Sequence, residues 1–143
     1  YGPSFVSLDS ALSFHGLIPE RIEAVTSVTT KRPKSFRTPA GSFIYRQSPR
    51  DSFHLGMDRR AESDVAFLIA TPERALADKL RDDRGHQLRT WADAESYLFD
   101  GLRIERADLV RLDPSRLDEL ARGLRSRKVA TCAHLLRRLR STT

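Results

Sequence analysis

The sequence predicts an α+β fold: a mixed or antiparallel sheet of about four to five strands from the first half, packed with helices, and a helical C-terminal half. Three observations predict it. Alternating, β-branched segments occur only before Thr71. The strongest helix starts, Thr71-Pro72-Glu73, Thr90 and Asp113-Pro114, all come from that point onward. Between the two regimes, Val65-Ala66-Phe67-Leu68-Ile69-Ala70 is apolar throughout, as a central strand covered on both faces would be.

The elements follow in order. Residues 4–14 read as a short helix, capped by Ser7, with Leu8, Ala11, Leu12 and Phe14 on one face and Gly16 as its stop. Pro19 blocks continuation. Residues 22–30 alternate as a strand through Ile22, Ala24, Thr26, Val28 and Thr30. Residues 35–38 and 42–47 form a hairpin around Pro39-Ala40-Gly41, with Phe43 and Tyr45 on one face and Ile44 and Arg46 on the other. Residues 52–57 and 64–70 are further strands. Thr71-Pro72-Glu73 opens a helix whose buried face is Ala75, Leu76 and Leu80, and residues 82–86 break it. Thr90 caps a segment carrying Trp91, Ala94, Tyr97, Leu98 and Leu102, and residues 106–112 are a short helix. Asp113-Pro114 opens a helix with Leu117, Leu120, Ala121 and Leu124, and Val129, Cys132, Ala133, Leu136 and Leu139 mark the last one.

The 143 residues are read as one domain. Residues 1–85 supply a helix, the sheet and the following helix; residues 86–143 supply a helical part with a basic end. Seven Phe, three Tyr and one Trp are spread along the chain, enough to exclude a disordered polymer despite 31% charged residues. A single cysteine excludes an internal disulfide framework and, with four His, a zinc ribbon or finger. No apolar run approaches the roughly 20 residues of a membrane span. No export signal opens the chain, so a cytoplasmic location is expected. The first residue is Tyr1 rather than Met, the mark of a processed chain or of a piece of a longer protein.

The net charge of +6 is unevenly distributed. Residues 29–50 hold Lys31, Arg32, Lys34, Arg37, Arg46 and Arg50 and no acid. Residues 122–143 hold Arg122, Arg125, Arg127, Lys128, Arg137, Arg138 and Arg140, again without an acid. Between them, residues 51–121 hold 16 acids against 11 bases. Two basic segments flanking an acidic middle point to a polyanionic or acidic partner, or else to a solvated surface and a basic tail. In the first segment the cations interleave with Phe36, Phe43 and Tyr45, a pattern suited to a phosphate backbone. The candidate nucleic-acid contacts are Lys31, Arg32, Lys34, Arg37, Arg46, Arg125, Arg127, Lys128, Arg137, Arg138 and Arg140. The plainer reading of the hairpin puts the aromatics in the core and the cations in water.

No catalytic constellation emerges. Glu73, Asp78, Lys79, Asp82, Asp83 and His86 form the densest cluster of metal-binding types. Yet Glu73 and Asp78 diverge by about 140° around a helix, and the face shared by Asp78 and Asp82 reads as solvated. Asp58, Glu62 and Asp64 precede a strand, but no acid-x-Lys follows as a restriction-type nuclease requires. Cys132 and His134 lie roughly 200° apart on a helix and cannot chelate together; Cys132 reads as a small core residue. No Gly-x-Ser-x-Gly and no Gly-rich phosphate loop is present. No metal or cofactor is expected.

Five strings in series look familiar: Tyr1-Gly2-Pro3-Ser4-Phe5-Val6-Ser7-Leu8-Asp9-Ser10-Ala11-Leu12, Gly16-Leu17-Ile18-Pro19-Glu20, Val25-Thr26-Ser27-Val28-Thr29-Thr30, residues 36–46 of the hairpin, and Ala70-Thr71-Pro72-Glu73-Arg74-Ala75-Leu76-Ala77-Asp78. Their order resembles the C-terminal part of AbiEi-type antitoxins, the antitoxin and transcriptional-regulator family of type IV (AbiE) toxin–antitoxin systems of abortive infection and phage defence. The resemblance covers residues 1 to about 80. It implies a mixed sheet with helices, no catalytic residues, and a role in countering a nucleotidyltransferase-like toxin. Such proteins usually carry a promoter-binding winged helix-turn-helix just before the Tyr-Gly-Pro string, where this sequence begins. DNA contact is therefore expected mainly through a segment not in this chain. The alternatives are an accessory nucleic-acid-binding domain and a metal-dependent nuclease-like enzyme.

Overall fold

The computed structural model describes residues 1–142. Its chain begins with a strand where the helical spacing predicts a helix. Ser4–Val6 is β1, and the helix, α1 (Leu8–Phe14), starts only after it. Phe5 pairs with Val28 across the sheet, and both are buried, so pairing and burial outweigh the helical pattern. Leu8 makes the strand-to-helix turn in a left-handed conformation, φ 57°. The Ser7 side chain makes no cap bond, contrary to expectation; its hydroxyl serves a tertiary contact described below.

Five more strands follow: β2 (Val25–Thr29), β3 (Lys34–Thr38), β4 (Gly41–Gln47), β5 (Met57–Glu62) and β6 (Val65–Ala70). They form one mixed sheet of six strands in the order β3-β4-β2-β1-β6-β5, against the four to five expected. The pairs β1–β2, β3–β4 and β5–β6 are antiparallel, while β2–β4 and β1–β6 are parallel. The hairpin of β3 and β4 forms as the turn chemistry predicts, and β2 is shorter than the expected strand.

Two strand expectations are corrected. Residues 51–56 form turns rather than a strand, because the carbonyls of Ser52, Phe53 and Leu55 turn inward to accept bonds from one arginine. The strand begins instead at Met57 and runs through charged residues. β5 is an edge strand, where exposed charges are tolerated and deter edge-to-edge pairing. Ser63 and Asp64, with φ 49° and 69°, are the two left-handed residues of the tight turn into β6. β6 is not doubly covered: Val65 is 64% and Leu68 41% exposed, only Ile69 and Ala70 are buried, and Phe67 packs partly buried against the core.

α2 (Pro72–Asp82) begins as predicted, with Thr71 Oγ1 accepting from the Arg74 N–H at 3.2 Å and Pro72 in the first turn. Its surroundings differ from expectation. Glu73, Arg74 and Asp78 are buried along with Ala75, Leu76, Ala77 and Leu80, so the face carrying Asp78 is not solvated. α2 is flanked by α1, by α5 (Pro114–Leu124) and by α6 (Arg127–Ser141). Before these, α3 (Trp91–Glu95) opens with a Thr90–Asp93 capping box and widens into a π-helical segment, Ser96–Gly101; α4 (Arg106–Leu109) is a single turn. Within the segment that Thr90 caps, Ala94, Tyr97 and Leu98 are buried, whereas Trp91 is 40% exposed. One hydrophobic cluster runs from Phe5 and Leu12 through Ile69 and Leu76 to Leu117 and Leu136, joining sheet and C-terminal helices.

Candidate nucleic-acid interface

The basic surfaces rest on a buried polar network. Arg74 is fully buried. Its Nε donates to both carboxylate oxygens of Asp78 at 3.0 Å. Its Nη1 donates to the carbonyls of Ser52 at 2.9 Å, Leu55 at 2.8 Å and Phe53 at 3.3 Å, and its Nη2 to Ser48 Oγ at 2.9 Å. The guanidinium lies 5.2 Å from the Phe5 ring centroid. Ser7 Oγ donates to Asp78 at 2.6 Å. Burial pushes the Asp78 carboxyl up, opposed by the Arg74 charge and the bonds from Ser7 and Arg74. This network ties α2 to β1 and to the 48–55 turns.

The cluster that resembles a nuclease site is dispersed by the fold. Asp78 is enclosed by Arg74 and Ser7. Glu73 accepts the Asp113 N–H at 2.9 Å and so joins α2 to the start of α5. Lys79 pairs with Asp9 at 3.0 Å and Asp82 with Arg46 at 3.0 Å. Asp83 accepts from the Tyr97 hydroxyl at 3.0 Å, with His86 3.8 Å away. Burial and the Asp83 charge push the Tyr97 phenol well above its ordinary range. Among the described residues, no three His, Cys, Asp or Glu side chains converge as a metal site would need. Asp58 pairs with Arg60, and Asp64 serves the hairpin turn. Cys132 is buried while His134 is exposed, as their spacing predicts.

The hairpin cations divide between two faces. On one, Tyr1, Phe36 and Tyr45 meet edge to face in a three-ring cluster, with centroids 5.2 to 5.8 Å apart. Lys34 Nζ lies 4.6 Å from the Phe36 ring and 5.5 Å from Tyr1, and Lys31 Nζ lies 5.3 Å from Tyr1. The Tyr1 hydroxyl donates to the Arg32 carbonyl at 3.1 Å, which holds this strand-free segment against the sheet. Lys31, Arg32 and Lys34 are exposed, and the three rings are not in the core cluster. The reading that puts these aromatics in the core is not met: Tyr1, Phe36 and Tyr45 form a platform at the surface under the lysines. Arg37 and Arg46 alternate to the opposite face, because Arg37 pairs with Ser42 and Arg46 lies four residues along the same strand.

Arg46 lines a cleft between the end of β4, the 48–50 loop and the end of α2, with a volume of about 560 Å³. Arg50, Arg81 and Arg84 join it there. Sequence reasoning missed this grouping, because Arg81 and Arg84 lie in the acidic middle and their charges disappear in its net balance. The available signal was the spacing of three between Asp78 and Arg81, which places them on one helix face.

The C-terminal cations do not form one surface. Lys128 Nζ donates to the carbonyls of Leu80, at 3.1 Å, and Asp83, so it closes the C-terminal end of α2. Arg137 pairs with Asp118, which draws the Asp118 carboxyl down. Arg138 stacks on Trp91 at 5.9 Å, and Arg140 Nη1 donates to the Leu112 carbonyl at 3.3 Å. Arg125 caps α5 in a left-handed conformation, 3.7 Å from Asp51, and Arg127 is exposed at the start of α6. Among the described residues, no helix is long and apolar enough to cross a membrane. Compared with protein-family models and with curated proteins, the sequence matches neither a family model nor a curated relative.

Proposed function

We propose that this chain is a non-enzymatic antitoxin or transcriptional-regulator domain of AbiEi type, which counters a nucleotidyltransferase-like toxin through charged surfaces held on a rigid fold. The observation that carries the reading is the interlocking of the strings on which the resemblance rests. Ser7, in the first string, bonds to Asp78, in the last. Ser10 and Thr26, in the first and third, exchange two bonds, at 2.9 and 2.8 Å. Strings far apart in sequence thus meet as one structural unit, and their polar residues maintain the scaffold instead of facing a reactive cleft. An inhibitory or regulatory domain needs this kind of frame.

The test is co-expression of the 143-residue chain with the toxin candidate of the neighbouring gene, scored as colony-forming units. Restored growth is expected. Continued toxicity with this chain, but rescue by a longer product of the same gene, would transfer the function to residues beyond it. Toxicity with both would remove the antitoxin reading.

The platform of Tyr1, Phe36 and Tyr45 favours one second reading, an accessory nucleic-acid-binding domain. Cations over aromatic rings suit single strands. Its affinity for a single-stranded oligonucleotide must fall steeply with salt. A flat salt dependence removes this reading.

A further inference from the structure

The cleft at the end of α2 contains more positive charge than the fold uses. Two carboxylates line it, and both are already satisfied. Asp78 is bonded by Arg74 and Ser7, and Asp82 is paired with Arg46. Arg50, Arg81 and Arg84 remain. Among the described residues, none of these three guanidinium groups has a hydrogen-bonded or ion-paired partner.

Arg81 is the informative one, because it is half-buried. A partly buried guanidinium without a hydrogen-bonded partner loses hydration and is compensated only by the longer-range attraction of Asp78 and Asp82. Burial pulls its pKa down, and the nearby charges of Arg74 and Arg84 act in the same direction against the pull of Asp78. Arginine nonetheless stays cationic at neutral pH. The negative end of the α2 dipole also lies near Arg81, but it is already shared. Lys128 already occupies the terminal carbonyls of Leu80 and Asp83.

We propose that this cleft binds a polyphosphate chain, free or carried on a nucleoside, with Arg50, Arg81 and Arg84 as the ligands of the phosphates. Planar guanidinium forks match phosphate oxygens in pairs, and three unpaired cations suit the charge of a di- or triphosphate. The volume of about 560 Å³ falls within the range of small-ligand clefts. Its apolar wall, lined by Leu8, Val28, Pro33 and Pro49, offers a surface for a sugar or base chiefly at the two prolines, because Leu8 and Val28 are buried. The inference is independent of the antitoxin reading, and its test does not use the toxin.

Isothermal titration of the chain with tripolyphosphate, ATP, GTP, adenosine and a 5′-hydroxyl single-stranded oligonucleotide decides it. Saturable binding of tripolyphosphate and of the nucleotides is expected, with none for adenosine. Tighter binding of ATP or GTP than of tripolyphosphate assigns the nucleoside to the apolar wall; equal binding makes the inorganic chain sufficient. Both outcomes support the site. Arg81→Gln and Arg84→Gln should each weaken binding by about tenfold or more, and Arg116→Gln, on the exposed side of α5, should leave it unchanged. Arg84 is exposed, so its variant tests the site even if Arg81→Gln disturbs folding. Absence of saturable binding by any polyphosphate would overturn the proposal. So would binding of the oligonucleotide alone, or an equal loss with Arg116→Gln.

Discussion

Arg74 illustrates how a residue's role depends on what the fold brings to it. In the sequence, Arg74 and Asp78 are an ordinary i,i+4 pair of the kind that decorates helix surfaces. In the structure they are buried at 0% and 2% exposure, and the arginine gathers three carbonyls and a serine from the 48–55 turns. Nothing local in the sequence marks those carbonyls as its partners, so the network was not legible there. Arg74→Met should remove about 3–5 kcal/mol of stability in urea unfolding, because it leaves the buried Asp78 carboxylate with only its Ser7 bond and takes the arginine donor away from the Phe53 and Leu55 carbonyls. Arg74→Met combined with Asp78→Leu should cost less than the two single effects summed. Strict additivity would show that the two side chains act independently. Cys132 makes the opposite case, since its apolar-face position was legible from spacing. Burial pushes its thiol up to about 12, so the thiolate is scarce below that pH. A thiol-specific reagent at pH 8 should label native chain far more slowly than unfolded chain, and comparable rates would contradict the buried placement.

At the level of elements, legibility follows locality. Helix starts at Thr71, Thr90 and Asp113 were readable because capping is local chemistry, and each side chain makes the predicted bond. The hairpin of β3 and β4 was readable for the same reason. β1 and β5 were not. β1 is a strand because Phe5 and Val28 pair, and β5 carries charges that only an edge position permits. The turn before β5 depends on Gly56. Its φ of 67° is left-handed, and an added Cβ would sit 2.6 Å from the Arg74 Cβ and 3.2 Å from Thr71 Oγ1. Gly56→Ala should therefore destabilise the chain by about 1–3 kcal/mol in the same urea experiment. An unchanged midpoint would mean that the turn is not coupled to α2.

For the whole molecule, the α+β order and the charge pattern were legible, but the grouping of charges was not. The two basic segments do not become two basic surfaces. The first splits across the sheet, with Lys31 and Lys34 on the aromatic platform and Arg46 in the cleft. The second is largely spent on a helix end, an ion pair and a ring contact, through Lys128, Arg137 and Arg138 respectively. Strand alternation and helix packing decide these allocations, and a net charge per segment carries neither. The acidic middle likewise dissolves into separate contacts made by Glu73, Asp78, Asp82 and Asp83.

We propose that charged surface on a rigid fold, not a reactive carboxylate site, gives the chain its effect. Toxin co-expression with two surface variants scored beside the parent chain tests this most directly. Lys31→Glu/Lys34→Glu reverses the platform, and Asp58→Asn/Asp64→Asn neutralises the two acids nearest a nuclease pattern while keeping a side chain that the left-handed Asp64 position tolerates. All four positions are exposed or half-exposed, so both variants should fold as the parent does, with a circular-dichroism melt as the check. Growth rescue should be lost with the platform reversal and retained with the carboxylate removal. Rescue that survives the reversal but disappears with the carboxylates would contradict the proposal.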